Sequence, residues 1–493
     1  MRYDRAMKNH AVVIAGAGPT GMMLGAELKL AGVDVAIVEP STTKDREGGS
    51  RAGGLHARTI EVFDMRGIAD RFISQGQTAQ TVRFANAVLD ISDFPTRHPY
   101  GLALFQIRTE RILADWIDEL HVQIYRGLAV TGFVQDDRAV DVALSDGSTM
   151  RAEFLVGCDG GRSVVRKTAG IAFVGSDPTM SWLIAEVQMS EGPAWGFRET
   201  TTGWHAIGRG DNGVVRLALT DPELKSGEPT LRDLSETLSA IYGTDFGVHS
   251  PNWLSRFNDA TRQAVAYRDR RVLLAGDAAH IHPPLGGQGL NIGVQDAMNL
   301  GWKLAQVVKE ISPENLLDSY HAERHPVGAR VLKNTMAQVA TRRTDDRTKA
   351  LNDYVAELLG ADESRKRLAA EMSGLGVHYD LGEGHPLLGR RMPDLDLVTG
   401  NGSVRVFTLL HGARPVVINF GEPGGVDITP WSDRVQLIDA KYDGTWELPV
   451  IGAVAAPTSV LIRPDGYVAW VGEATQGGLT DALTTWFGSG RIR

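Results

Sequence analysis

The sequence predicts an α/β protein in which a dinucleotide-binding domain carries an inserted antiparallel sheet and a small third domain. A short β-branched run, Ala11 to Ala15, precedes a glycine-rich turn and a helical pattern, which is the order of a first unit in a parallel sheet. The stretch from about 171 to 270 lacks long helical periodicity until about Leu231. Further strand-like runs after residue 385 indicate a separate small α/β domain.

Composition bounds the class of protein. The chain has 493 residues, enough for about two to three domains, and 43% of them are hydrophobic. A net charge of −9 argues against a nucleic-acid-binding protein, which would carry basic patches. The single cysteine, Cys158, excludes an intramolecular disulfide framework and suits a reducing cytoplasm. No apolar run approaches the roughly 20 residues that span a bilayer, so we expect a cytoplasmic protein with no membrane partner.

The first βαβ unit carries a glycine fingerprint, Gly16-x-Gly18-x-x-Gly21, between a strand and a helix. Glycine permits the tight turn, the close approach of the backbone to a pyrophosphate and close helix–strand packing, and the helix N-terminus attracts phosphate. A second strand, Val33 to Val38, ends at Glu39, whose carboxylate can accept hydrogen bonds from ribose hydroxyls. These features favour a dinucleotide site over a glycine-rich turn needed only for packing.

A second motif, Asp159-Gly160-x-x-Ser163-x-x-Arg166, also follows a strand. Its polar groups can contact a ligand that lies across the sheet. The equally plain alternative is a capped helix start with a surface arginine.

The third motif ends the strand Arg271 to Ala275 with Asp277, a carboxylate able to hold the hydroxyls of a sugar or ribityl chain. The loop from Pro283 to Gly289 then exposes backbone amides, and a helix starts at about Leu290. The positive end of that helix suits a ring that becomes anionic on reduction, as a flavin does. The alternative is a flexible loop before an ordinary helix.

Two groups of side chains admit a structural interpretation as well. His280 and His282 are two residues apart with no obvious third ligand, so we expect structural roles and no metal site. The tryptophans of the inserted sheet can be core residues or the wall of an aromatic ligand site; they are Trp182, Trp195 and Trp204.

The remaining segments complete a three-domain plan. A charged stretch, Arg342 to Lys349, is interpreted as the solvated face of a helical region, and His385 to Asp394 as a linker. The predicted domains are 1–170 with a short contribution to the substrate domain near 72–100, then 171–270, 271–384 and 385–493.

Together the motifs resemble the class A flavoprotein aromatic hydroxylases of the para-hydroxybenzoate hydroxylase fold, over nearly the whole chain. The similarity is greatest to the branch that contains aromatic-polyketide hydroxylases and rifampicin monooxygenases. The strings that carry it include Gly54-Leu-His-Ala-Arg-Thr-Ile-Glu-Val-Phe63, Gly276-Asp-Ala-Ala-His-Ile-His282, Gly286-Gly-Gln-Gly-Leu-Asn291 and Ser319-Tyr-His-Ala-Glu-Arg324. The resemblance implies a Rossmann-like FAD-binding domain, an inserted mainly antiparallel substrate domain and a C-terminal thioredoxin-like domain. That last domain has no cysteine and so no dithiol chemistry.

The resemblance also implies roles for individual residues. Glu39 would contact the adenosine ribose, Asp277 the ribityl-pyrophosphate region, and Pro284 the ring edge where oxygen adds. The other residues implied in FAD binding are Gly16, Gly18, Thr20, Gly21, Arg51, Gln106, Val130, Asp159, Gly289, Leu290 and Asn291. No catalytic acid or base is assigned, and no metal is expected.

The activity implied is monooxygenation. NADPH or NADH would reduce FAD, O₂ would form a flavin C4a-hydroperoxide shielded from water, and a bulky polycyclic or phenolic substrate would be hydroxylated. Two enzymatic alternatives stay open, a Baeyer–Villiger oxygenase and a rifamycin-inactivating monooxygenase. An alternative of another class is a flavoprotein that binds an aromatic ligand without turnover. A monomer or a homodimer is expected.

Overall fold

An eight-stranded sheet built around the first βαβ unit positions the rest of the molecule. The computed structural model describes residues 8–44, 53–193, 195–200, 203–210, 213–221, 223–343, 345–472 and 477–491. The main order across this sheet is Arg268–Asp269, Val272–Leu274, Thr149–Gly157, Lys8–Ala15, Val35–Glu39 and Gln123–Arg126. Two antiparallel strands, Val140–Leu144 and Val130–Gln135, extend it from Thr149–Gly157.

The parallel strands bring the three motifs to one edge of this sheet. Ala15 is in register with Gly157 and Val38, and Gly157 with Leu274, so the strands end side by side. Ligands of open α/β sheets bind outside these carboxyl ends. The predicted Rossmann-like arrangement is therefore confirmed, and its site edge is defined.

The helices flank the sheet and link the domains. They are α1 (Pro19–Leu30), α2 (Ala57–Asp64), α3 (Ala69–Ile73), α4 (Gln106–Glu119), α5 (Val164–Thr168), α6 (Leu231–Tyr242), α7 (Gln288–Val308), α8 (Asp318–Ala340), α9 (Asp346–Leu358), α10 (Asp362–Ser373), α11 (Val406–Leu409) and α12 (Leu479–Phe487). Helices α1 and α7 cross closely, because a Cβ atom at Gly301 would lie only 2.4 Å from Cβ of Glu27. This crossing ties the first motif to the third.

The inserted domain is an antiparallel sheet, as predicted. Its strands, in spatial order, are Gly196–Thr200, Gly203–Arg209, Val215–Thr220, Ser181–Met189 and Val248–Asn258. One face is apolar and packs on α6, with Leu183, Leu217 and Leu219 fully buried or nearly so. The strands Phe173–Ser176 and Thr261–Ala264 pair outside this sheet, in a three-stranded sheet with His280–Ile281.

The C-terminal domain contains a six-stranded sheet in the order Gly402–Arg405, Asp396–Thr399, Gln436–Lys441, Val416–Asn419, Ser459–Ile462 and Val468–Gly472. Its apolar side chains belong to the same buried cluster as those of the eight-stranded sheet. The segment 385–394, interpreted as a linker, is partly buried in this cluster. Leu387 and Met392 lie fully buried in that cluster, because apolar residues at these positions gain more from the core than from solvent.

Smaller sheets complete the structure. One contains Gly54–Leu55, Gly101–Ala103 and Gln77–Ala79; two hairpins pair Thr81–Phe84 with Ala87–Asp90 and Glu447–Leu448 with Gly452–Ala453. The hairpin at 81–90 packs on α10, which lies outside the inserted sheet. The assignment of 72–100 to the substrate domain remains a prediction. Within the described ranges, no helix has the length and apolar content needed to cross a membrane.

Candidate active site

The glycine turn leaves no room for side chains. Gly16 adopts φ +100°, and its N–H donates to the carbonyl of Val38 at 2.8 Å. A Cβ atom at Gly16 would lie 2.6 Å from the carbonyl oxygen of Cys158, and one at Gly21 would lie 2.0 Å from the carbonyl oxygen of Gly16. Helix α1 starts after Gly18, and no side chain caps its N-terminus. The first N–H groups of the helix are therefore left for another acceptor. This is the geometry of an anion site.

Glu39 lies beside this turn at the end of its strand. Its carboxylate accepts hydrogen bonds from the N–H of Ala17 at 2.7 Å and of Ser41 at 3.0 Å. These bonds fix the carboxylate at the edge of the sheet while leaving lone pairs for further donors. Arg51, the other residue predicted near the pyrophosphate, lies outside the described residues.

Thr20 connects the first motif to the third. A Cβ atom at Gly276 would approach its Oγ1 to 2.6 Å, and one at Gly293 to 2.4 Å. The Thr20 side chain is thus packed between the Asp277 loop and α7. Its predicted cofactor contact would have to come from its backbone.

A buried carboxylate that the sequence reasoning missed holds the Asp277 loop. Asp296, 1% exposed, accepts from the N–H of Gly276 at 3.1 Å, from Nε2 of His280 at 2.7 Å and from Nε of Arg324 at 2.7 Å. Burial alone would raise the pKa of Asp296, but Arg324 and His280 lower it below its ordinary value. The anchored loop leaves Asp277 itself exposed at the sheet edge. The available signal for Asp296 was its recurrence with Asn299 and Lys303 at helical spacing on a largely apolar helix.

The turn before α7 is shaped by glycine and by Asn291. Gly286 and Gly287 adopt φ values of +69° and +66°. The Asn291 side chain accepts from the N–H of His56 at 2.7 Å and donates to the carbonyl of Gly287 at 2.7 Å. The amide side chain of Asn291 therefore holds the loop, and any ligand contact falls to the backbone of the first turn, where Gly289 and Leu290 also lie. Pro284 is exposed at the loop's start.

A buried acceptor at the site has no partner among the described residues. His282 donates from Nδ1 to the carbonyl of Pro283 at 2.8 Å, so its Nε2 carries a free lone pair. A Cβ atom at Gly289 would lie 3.7 Å from this Nε2 and 3.6 Å from Oδ1 of the exposed Asp277. Buried polar atoms are almost always satisfied, so the unsatisfied Nε2 beside the Asp277 carboxylate suits a ligand with hydroxyl donors.

Asp159 caps the helix that follows it and keeps one oxygen without a described partner. Its Oδ2 accepts from the N–H groups of Val164 and Val165 at 2.7 and 3.1 Å, which is the capping alternative, while its buried Oδ1 has no described partner. Arg166 is 4% exposed and donates to the carbonyl of Ala278 at 2.8 Å, so the surface-arginine alternative is wrong. Through this hydrogen bond the buried arginine connects the second motif to the third.

Gln106 and Val130 lie in other parts of the fold, and their cofactor contacts remain predictions. Gln106 is the first residue of α4 and donates to Oε1 of Glu110 at 2.7 Å. Val130 begins its strand and is buried. His280 is bonded to Asp296, and no cluster of three or more potential metal ligands occurs in the part of the chain that the structure describes.

The second face of the inserted sheet forms a broad floor of small side chains. Directly paired residues of antiparallel strands point to the same side. Ala206, Ala218, Ile184 and Ser255 are paired in a row across four strands, and Gly208 pairs with Arg216 in the next row. The face opposite α6 is therefore shallow at its centre.

Aromatic and charged groups border this floor. Phe197 stacks on Trp204 with ring centroids 5.1 Å apart, and Trp182 stacks on Phe257 at 5.2 Å. Trp182 is buried, as expected of a core residue. Trp195 is 46% exposed, so the core interpretation does not apply to it.

Two arginines lie over rings at the border. The guanidinium of Arg216 pairs with Glu186 at 2.8 Å and lies 3.8 Å from the ring centroid of Phe105, the residue before Gln106. Arg342 lies 5.2 Å from the ring centroid of Trp204. Arg342 is therefore not part of a purely solvated face, because the end of α8 reaches the rim of the inserted sheet. The sequence reasoning missed Arg216 and Phe105, whose proximity depends on pairing between distant segments.

Comparison with known proteins agrees with this geometry. An FAD binding domain family model matches residues 9–335, and an aromatic-ring hydroxylase C-terminal model matches residues 385–490. The chain belongs to the class A flavoprotein aromatic hydroxylases. The predicted FAD-dependent, NAD(P)H-using aromatic monooxygenase is confirmed, and the Baeyer–Villiger and non-catalytic alternatives are not favoured.

Similar proteins cover nearly the full length of this class A hydroxylase. A rifampicin monooxygenase of Streptomyces venezuelae is 44% identical, over 97% of this chain and 98% of that protein. A 12-dehydrotetracycline 5-monooxygenase/anhydrotetracycline 6-monooxygenase of Streptomyces rimosus is 43% identical over 99% of both. Among solved structures, CabE, an aromatic hydroxylase from angucycline biosynthesis, is 39% identical with a TM-score of 0.91, over 98% of this chain and 100% of that one.

The described residues fit FAD. A glycine turn without room for side chains meets the first N–H groups of α1, Glu39 is fixed beside it, and orphaned acceptors surround the Asp277 loop. These groups lie in sequence along one edge of the sheet, as an extended dinucleotide requires.

Proposed function

We propose that the aromatic substrate is a planar, polycyclic phenol that lies against the second face of the inserted sheet. The observation that carries this proposal is the row of short or apolar side chains Ala206, Ala218, Ile184 and Ser255 across four strands, which contains no charged or aromatic group. Strands are about 4.8 Å apart, so the row is roughly 14 Å wide. A floor of that width accepts several fused rings, whereas a one-ring phenol would leave most of it uncovered.

The border of the floor supports the same substrate class. Stacked pairs such as Phe197 and Trp204 offer further π surface to an extended aromatic ligand. Arg216 is half-buried beside Phe105 and can favour the anionic form of a phenol or enol. An electron-rich anionic ring is the better acceptor of an oxygen atom.

The FAD roles that we propose follow the edge of the sheet. The N-terminus of α1 with Gly16, Gly18 and Gly21 would hold the pyrophosphate, and Glu39 the adenosine ribose. Asp277 and His282 would accept hydrogen bonds from the ribityl region.

The flavin ring would lie at the N-terminus of α7, where the backbone N–H groups of Gly289 and Leu290 stabilise negative charge on the reduced ring. When bound, FAD supplies the redox chemistry by which NAD(P)H and O₂ oxygenate the substrate. The remaining predicted contacts, from Gln106, Val130 and Asp159, stay predictions.

The relatives point in the same direction. Their names describe oxygenation of rifampicin and of 12-dehydrotetracycline and anhydrotetracycline. We carry over the class, a large fused-ring compound, and not either compound. Because NAD(P)H is a co-substrate, we also propose a cytoplasmic location; the monomer-or-homodimer alternative remains a prediction.

An oxygen-electrode screen tests the substrate class. The holoenzyme would be assayed with NADPH and NADH against tetracyclic phenols, rifamycins and one-ring phenols, with mass spectrometry of products. The proposal expects polycyclic phenols to accelerate NAD(P)H oxidation and to gain one oxygen atom. Stimulation by one-ring phenols that equals or exceeds that by polycyclic phenols would overturn it.

A further inference from the structure

We propose that the C-terminal domain positions the Asp277 loop through a buried chain of ionic contacts, with Arg463 as its positioning residue. The C-terminal domain has no cysteine, and the proposed chemistry uses none of its residues directly. The inference rests on the proposed contact of Asp277 with FAD, and it assigns to the third domain a function in cofactor retention.

The chain begins at the loop itself. Asp296 binds the N–H of Gly276 and the His280 ring, the residues on either side of Asp277. On its other oxygen, Asp296 accepts from Arg324 of α8, and both side chains are 1% exposed. Any displacement of Arg324 therefore moves the acceptor that holds the loop.

The neighbouring residue of α8 carries the contact to the C-terminal domain. Glu323 accepts both terminal nitrogens of Arg463 at 2.7 and 2.8 Å, and also the amide of Asn299 at 2.6 Å. Lys303 lies 3.0 Å from the same carboxylate. Because Asp296, Asn299 and Lys303 lie three and four residues apart on α7, they face α8 together.

Arg463 is held in one orientation. It is fully buried, donates to Asp465 at 2.6 and 3.1 Å, and lies 4.7 Å from the ring centroid of Trp486. A second contact runs in parallel. Arg324 donates to the Tyr379 hydroxyl at 3.2 Å, and the Tyr379 ring packs at a tilt on Tyr467 of the C-terminal domain, with centroids 4.2 Å apart. The C-terminal domain thus contacts Glu323 directly and Arg324, the next residue of α8, through Tyr379. Arg324 in turn donates to Asp296.

The chain offers a matched control. Asp64, at the end of α2, forms another ionic contact with the C-terminal domain, where it accepts from Arg405. The other partners of this pair are His98 and Asp394, and among the described residues neither member contacts Asp296. Its removal should therefore weaken domain packing without reaching the loop.

The experiment compares two double variants as holoenzymes. Arg463→Met with Glu323→Gln removes one positive and one negative charge, as does Arg405→Met with Asp64→Asn. The readouts are the FAD dissociation constant, from flavin fluorescence, and the midpoint potential of the bound flavin. We expect the first double variant to bind FAD about 2- to 30-fold more weakly than the second, the range of coupling carried by contact networks. We also expect it alone to shift the midpoint potential.

Equal FAD affinity and equal potential in the two double variants would overturn the inference. If either double variant fails to fold, Arg463→Lys and Arg405→Lys give the same comparison with the charge retained. Asp277→Ala separates the two proposals. Loss of FAD from Asp277→Ala with no difference between the double variants refutes only the coupling, whereas full retention by Asp277→Ala refutes the loop assignment.

Discussion

Substitution of Gly21 by alanine should weaken FAD binding by closing the turn that holds the pyrophosphate. The added Cβ would lie 2.0 Å from the carbonyl oxygen of Gly16, and real Cβ contacts essentially never fall below 3.0 Å. Relief needs a movement of at least 1.0 Å, the difference between these distances. The Gly16 carbonyl cannot rotate away cheaply, because it shares a peptide plane with the N–H of Ala17, which donates to Glu39 at 2.7 Å.

The expected size of this effect follows from the cost of overpacking, about 1–3 kcal/mol. If the free protein relieves that strain by opening the turn, FAD binding must close the turn again and bring the strain back. The dissociation constant of FAD then rises by about 5- to 150-fold. Flavin fluorescence titration measures this constant directly. Gly412→Ala is the matched control, because a Cβ atom there meets nothing within 4 Å. A Gly21→Ala protein whose FAD affinity equals that of the Gly412→Ala protein would refute the reasoning.

Three further outcomes are expected. Ala218→Leu should raise KM for polycyclic phenols at least about tenfold by filling the floor, with FAD affinity unchanged; an unaltered KM in steady-state assays would place the substrate elsewhere. Burial lowers the pKa of His205 to about 4, and its Nδ1 accepts from the N–H of Thr220 at 3.2 Å. The unfolded chain therefore binds the extra proton first as pH falls from about 6.5 to about 4, and up to about 3 kcal/mol of stability is lost in that window. Urea denaturation from pH 7.5 to 4 should show this loss in the wild type and a smaller one in His205→Gln, and equal losses would contradict it. Glu39→Gln, assayed by FAD titration, should bind FAD more weakly by about 1 kcal/mol, because a neutral acceptor replaces a charged one; unchanged affinity would remove Glu39 from the ribose site.

Local sequence patterns predicted the elements that build the FAD edge. The β-branched run before Gly16 and the acid at Glu39 are short-range features, and both occur where expected at the ends of parallel strands. Hydrophobic periodicity likewise predicted α7, which begins at Gln288, two residues before the expected Leu290. Glycine turns and strands can be predicted from sequence because their formation depends mainly on residues close by in the chain.

The side chains that hold these elements together depend on contacts between distant segments. Asp296 anchors a loop 16 to 20 residues earlier, and Asn291 donates to the carbonyl of Gly54, 237 residues away. Arg342 was interpreted as solvated because its neighbours are charged, yet it lies over Trp204. No local pattern specifies such partners, since they are set by how the domains pack.

The crystal structure of the FAD-bound protein tests the central claim most directly. The account predicts a single extended FAD along the edge of the eight-stranded sheet, with its ribose hydroxyls at Glu39, its ribityl chain at Asp277 and its ring at the N-terminus of α7. Density that placed either end of the cofactor away from these residues would contradict it.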